Sequence, residues 1–279
     1  MNSLPADLLF GATAGVYLLS CVLFVAFLLG KWERASHWAP RLVAIGVPLH
    51  AAQIVVSSLI LHVCPVQGIH FAMSVVSMLV AALYVVARSR YRITVVGAFV
   101  APLALTFLLA SRFVAAGPSD VPHLRSAILP FHVAANLLGV ALFTLAFAAA
   151  VGYLLQERRL KQKRLDGVMQ RLPPLDALDR AEHGFLVAGF PLMTIGILTG
   201  TLWAREVEAG GAGEIARALF GYVSWGLFGA VLLLRAAAGW RGRRAAYGTI
   251  AGFGFAVLVL LLYVVRGATS AAAVAMVGR

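Results

Sequence analysis

A chain of 279 residues that is 61% hydrophobic and only 12% charged has too few polar side chains to cover a water-soluble surface, which excludes an ordinary cytosolic domain. Two cysteines are too few for a secreted disulfide scaffold, and the abundance of Leu, Val, Ala and Phe excludes disorder. The net charge of +12 raises nucleic acid as a partner, so the placement of the cations has to decide.

A helix needs about 20 apolar residues to cross the roughly 30 Å hydrocarbon core. Eight such stretches follow in chain order: Leu8 to Leu29, Leu42 to Leu61, Ile69 to Ala87, Ile93 to Ala110, Leu129 to Leu155, Gly184 to Trp203, Ala218 to Leu234 and Ala246 to Val265. They are too long for barrel strands, and hydrogen-bonded helices are what lipid permits. The fold class is therefore an all-α, polytopic membrane bundle of eight transmembrane helices, read as one domain over residues 1–279. The first span is too long, and its flank Met1 to Asp7 too uncharged, for a cleavable signal peptide. Arg88 to Arg92 makes a tight basic hairpin between the third and fourth spans. Pro48, Pro102 and Pro191 lie inside spans and are expected to kink them and free carbonyls.

The loops Lys31 to Arg41, Arg88 to Arg92, Gln156 to His183 and Arg235 to Ala245 hold 17 of the 23 Lys and Arg. By the positive-inside rule these loops are cytoplasmic and both termini lie outside, on the periplasmic side of an inner (cytoplasmic) membrane. Topology thus absorbs the basic excess, and no nucleic-acid partner is implied. The segment 156–183 reads as a basic extension of the fifth helix, a break at Pro173 and Pro174, then a short amphipathic helix on the inner leaflet. It contacts lipid headgroups or docks a cytoplasmic partner. On the other side, Arg205 to Arg217 reads as a short outer loop. Gly196 and Gly200 form a GxxxG pair, read as helix packing.

No Asp or Glu falls within any of these eight spans, which weighs against proton- or ion-driven pumps, and no P-loop, HExxH, CxxC or GxSxG motif occurs. Chemistry then rests on the histidines. His62, His70, His123 and His132 map to one outer layer. His50 lies within the second span, about 18 Å below His62 along the helix axis. A buried imidazole held by a carbonyl freed at Pro48 and a ligand role both fit His50. His132, in the run Leu129, Pro130, Phe131, His132, sits just below the outer interface, where it either reaches water or ligates. His62 and His70 flank Cys64 in HVCPVQGIH, a solvated loop or a copper- or haem-contacting one. His37, His123 and His183 read as interfacial. Two neutral imidazoles on facing helices are how a bundle grips haem iron, whereas copper or zinc prefers a tighter set of three or four ligands. Depth alone argues against a disulfide between Cys21 and Cys64. Polar residues Gln53, Ser57, Ser58, Ser74 and Ser77 on the second and third spans would suit either helix-to-helix hydrogen bonds or the path of a small-molecule or metal permease.

The stretch LPFHVAANLLGVALFTLAFAAAVGYLLQERRLKQKR from Leu129, the later LPPLDALDRAEHGFLVAGFPLMTIGILTG and GWRGRRAAY over 239–247 resemble the cytochrome c assembly protein family, and within it the small HemX- and YpjD-like branch. The resemblance implies an eight-helix core with both termini outside. It also implies haem bound by histidines, as in the larger CcsA- and CcmC-like relatives, which present haem at the outer face. On that likeness His132 matches the family's histidine at the start of the fifth core helix, His50 one in the second and His183 one at the start of the sixth. The tryptophan-rich WGxxWxWD-like outer motif of the haem-presenting relatives has no counterpart between Trp203 and Trp225. The HemX-like branch is instead associated with haem supply, through the level of glutamyl-tRNA reductase. The reading is a haem binder or carrier rather than an enzyme, with His132 and His50 as axial ligands of the iron and His62 and His70 as outer-face alternatives. Its partners would be the lipid bilayer, haem and other cytochrome c assembly or haem-synthesis proteins. A membrane adaptor that recruits a cytosolic enzyme of tetrapyrrole synthesis through Glu157 to Arg171 is the alternative from another class.

Overall fold

The structure, a computed structural model, describes residues 4–30, 32–61, 69–91, 93–113, 128–163, 173–206 and 212–277. His62, Cys64 and His123 lie outside the described residues, as does 164–172. Among the described residues eight α-helices follow one another: α1 (Leu4–Leu28), α2 (Ala35–Leu61), α3 (Ile69–Tyr91), α4 (Gly97–Phe113), α5 (Ile128–Lys161), α6 (Leu175–Glu206), α7 (Ala212–Ala238) and α8 (Arg243–Val277). All eight are long and apolar enough to cross a membrane. Among the described residues there is no strand. The chain is a multi-pass helical membrane protein.

Odd-numbered and even-numbered helices run in opposite directions. On α1 and α4, Asp7 pairs with Arg112 at one end while Phe24 meets the backbone at Gly97 at the other. Between α5 and α6, Gly200 faces His132 and Gly152 faces Leu178. The starts of the odd helices and the ends of the even ones thus share one side, called here the terminal face; the basic loops occupy the other, the basic face.

Lipid inverts the usual meaning of exposure, because an apolar side chain facing outward meets hydrocarbon rather than water. Leu18, Val22, Leu59, Leu198 and Leu233 are accordingly exposed. The interior instead carries aromatic side chains and alanines. Tyr17, Phe24, Tyr84, Phe143 and Phe228 are fully buried. Along α5, Ala141, Ala146, Ala148, Ala149 and Ala150 are buried to 0% exposure, which lets neighbouring helices approach its backbone closely. Phe143 stacks on Phe228 at 4.0 Å and Phe147 on Phe253 at 4.6 Å, fastening α5 to α7 and α8.

Two expectations change. Residues 175–183 are not a separate helix on the leaflet but the first turns of α6, which begins at Leu175 rather than Gly184; α5 does extend through the basic run to Lys161. The outer loop expected over 205–217 shrinks, since α6 runs to Glu206 and α7 starts at Ala212. Pro48, Pro102 and Pro191 do lie inside helices, in α2, α4 and α6.

The longer α6 brings acids into the bundle. Asp179 receives two hydrogen bonds from the Arg235 guanidinium, at 2.9 and 2.7 Å, and one from the backbone N–H of Gly242 at 2.8 Å. Gly242 holds a φ of +62°, a left-handed conformation that costs glycine little. Asp179 thereby ties α6 to the end of α7 and to the turn into α8. One turn on, Glu182 is fully buried and accepts a 2.6 Å hydrogen bond from the Thr249 hydroxyl. The view that no acid enters the helical interior fails here, because it rested on starting the sixth helix at Gly184.

Candidate functional site

His50 lies in the middle of α2, about 16 Å from that helix's terminal-face end at 1.5 Å per residue, and is fully buried. No freed carbonyl holds it. Its Nδ1 faces the Tyr17 hydroxyl of α1 at 3.3 Å and its Nε2 faces the Ser74 hydroxyl of α3 at 3.0 Å. Ser74 donates to Gln53 Oε1 at 3.5 Å, and Gln53 Nε2 donates to Ser57 Oγ at 3.3 Å. Each hydroxyl can donate or accept, so Tyr17 and Ser74 engage both nitrogens of His50 whichever of them carries the proton. The hydrogen-bonded chain runs from Tyr17 to Ser57. This chain also absorbs Gln53, Ser57 and Ser74, while Ser77 donates to Ala104 O at 2.7 Å; four of the five polar residues that suited a permeation path join helix to helix or turn to turn.

His132 sits one turn into α5, at the terminal face. The helix brings Asn136, four residues on, beside it, and Asn136 Nδ2 donates to the His132 carbonyl at 2.8 Å. Across the interface, the imidazole Nδ1 lies 2.9 Å from Thr199 Oγ1 of α6. The two glycines flanking Thr199 make the room: a Cβ at Gly200 would lie 2.8 Å from His132 Cε1, and one at Gly196 would collide with the Asn136 amide. The GxxxG pair is thus more than a packing surface. It is a notch on α6 that receives two polar side chains of α5.

His70 occupies the first turn of α3, also at the terminal face, with its ring 4.7 Å from that of Phe71. Its Nδ1 is buried and has no hydrogen-bond partner among the described residues. Helices α3 and α5 pack side by side, and His70 and His132 each lie near the terminal-face end of their helix. His50 does not join them: its partners come from α1 and α3 at mid-depth. His183, near the start of α6, also has a buried Nδ1 without a partner among the described residues, and His37 is exposed on the basic face. Among the described residues no three of His, Cys, Asp and Glu come together as a metal-ion cluster.

Sequence reasoning had no means to find Tyr17 and Thr199, which lie 33 and 67 residues from the histidines they contact. Asn136 was within reach, since a residue four positions along a helix shares the face of the first. The triplet Asp176, Asp179, Glu182 also repeats every third residue in LDALDRAEH, a helical stripe that Gly184 as a starting point cut away.

An eight-helix membrane bundle with an imidazole near the terminal-face end of each of α3 and α5 defines a class of protein, a polytopic membrane protein. The family model described as "Cytochrome C assembly protein" matches residues 63–270, three quarters of the chain, and the protein belongs to that family. It is 25% identical over 95% of its length to the cytochrome c biogenesis protein CcsA of Parasynechococcus marenigrum, covering 94% of that relative. Shorter matches reach 35% identity to CcsA of Synechococcus elongatus and 37% to CcsA of a Picosynechococcus species. Those two span about a third of this chain and 29% and 27% of the relatives. The family match takes in His70 and His132, whereas Tyr17 and His50 precede it.

Proposed function

We propose that the protein serves cytochrome c assembly by binding haem near the terminal face, between the starts of α3 and α5, on the outer side of the inner membrane. What supports this reading is that His132 and His70 both lie near the terminal-face ends of their helices, His132 with Nδ1 engaged by Thr199 and His70 with a buried nitrogen that lacks a partner among the described residues. The donor set suits haem, whose iron takes one neutral imidazole on each face of the macrocycle with apolar walls around it. His132 would hold the iron, and His70, or His62 in the adjoining segment, would supply a second imidazole. His50, with both nitrogens hydrogen-bonded, serves better as the pin that fixes α1, α2 and α3 around the site than as a ligand.

The orientation rests on the cation asymmetry. Arg158, Arg159 and Lys161 project exposed from the last turn of α5, where they suit anionic headgroups of the inner leaflet. The same exposed basic turn supports the second reading, an adaptor for a cytosolic enzyme of haem synthesis. Charge reversal at Arg158 and Arg159 separates the two: it abolishes partner association in the adaptor reading and leaves a haem spectrum unchanged in the first. The protein's part is to bind and hold; nothing in this reading asks it to make or break a covalent bond. Purified protein reconstituted with haem is expected to show a Soret band that His132→Ala abolishes and that His70→Ala converts to a spectrum with one axial ligand fewer. Retention of the wild-type spectrum by both variants would refute the site.

A further inference from the structure

The hydrogen-bond bookkeeping around His132 determines which of its two nitrogens is available to a ligand. The Thr199 hydroxyl has one proton, and two backbone carbonyls compete for it: Ile195 O at 2.7 Å and Gly196 O at 3.1 Å. With that proton turned into its own helix, Thr199 Oγ1 meets His132 only as an acceptor. The 2.9 Å contact to Nδ1 is therefore Nδ1–H donating to Oγ1, and the neutral ring carries its proton on Nδ1. In that tautomer Nε2 carries the lone pair.

Asn136 does not consume that lone pair. Its Nδ2 lies 3.3 Å from both ring nitrogens, and an atom equidistant from the two cannot lie on the lone-pair axis of either. Its well-formed bond goes to the His132 carbonyl instead. Gly200 completes the arrangement. A side chain there would press on Cε1, the atom between the two nitrogens, and turn the ring away from Thr199.

We propose that Thr199 is a positioning residue that locks His132 in the Nδ1–H tautomer and presents Nε2 to an electrophilic ligand, with the glycine notch at 196 and 200 holding the ring in register. The role in haem binding rests on the function proposed above; the tautomer does not. Outer partners of this kind fix the orientation and basicity of a ligating imidazole, and their loss typically costs about 10- to 100-fold in metal affinity.

The test uses full-length protein in lipid nanodiscs with nitrogen-15-labelled histidine, His132 being assigned by the signal that disappears in His132→Gln. In haem-free wild type, His132 is expected to show a protonated Nδ1 and an unprotonated Nε2. Thr199→Ser keeps the acceptor and the tautomer, whereas Thr199→Val loses the preference and, on haem titration, binds roughly 10- to 100-fold more weakly than Thr199→Ser. A protonated Nε2 in wild type overturns the assignment, as does a Thr199→Val protein with wild-type tautomer and wild-type haem titration. A protonated Nδ1 in a protein that gives no haem band upholds the assignment and overturns the haem reading. A haem band that needs His132 but is indifferent to Thr199→Val upholds the reading and overturns the role of Thr199.

Discussion

His50 and His132 are both histidines on transmembrane helices, yet their surroundings set them to different tasks. His50 is bound at both nitrogens by hydroxyls of two other helices, so its bonding capacity is exhausted inside the protein. His132 has one short contact, from Nδ1 to an oxygen whose own proton is committed to its helix, with Asn136 Nδ2 off-axis at 3.3 Å from both nitrogens. Burial at membrane depth is costly for a polar group and is a fair sign of function, but depth does not separate a structural pin from a ligand. The count of satisfied nitrogens does.

Removing each imidazole in turn separates the two roles with the largest effect. His132→Ala is expected to abolish the haem band outright, while His50→Phe leaves the band in the folded fraction; the reverse pattern would exchange the two roles. The next largest effect lies at the basic face. Asp179→Ala leaves the Arg235 guanidinium, 9% exposed, without its carboxylate, and stranding one partner of a buried pair costs about 3–5 kcal/mol. Thermal unfolding in detergent should report that loss, with the haem spectrum of the surviving protein unchanged, because Asp179 is at the opposite face from His132. The smallest effects belong to the links of the His50 chain. Tyr17→Phe and Ser74→Ala should each cost about 0.6 kcal/mol and no more than about 1.7, the range for single hydrogen bonds between transmembrane helices. Denaturation in mixed micelles measures this, and an effect on haem affinity from either would show that His50 takes part in binding after all.

Most of the fold was legible in the sequence because lipid imposes a length and a composition on every span. The eight helices and their order follow from that alone. Their ends do not, since polar residues continue a helix beyond the hydrocarbon wherever the chain can satisfy them. Asp179 does so through Arg235 and the Gly242 amide, and α6 consequently starts nine residues earlier than apolarity suggests. The candidate ligands were visible as residue types. What they touch was not, because spacing along one helix fixes a face but says nothing about which neighbour that face meets. Tyr17 and Ser74 around His50, and Thr199 opposite His132, come from rotations between helices. Gly196 and Gly200 were visible as a pair of small residues, but the same pattern serves close backbone packing and a notch for a side chain.

The most direct measurement is the absorption spectrum of the purified protein, oxidised and reduced, for wild type beside His132→Ala and His50→Phe. A Soret band with two-histidine character in wild type and His50→Phe, absent from His132→Ala, is the predicted result; a wild-type protein without the band, or a band that survives the loss of His132 and disappears with His50, would contradict it.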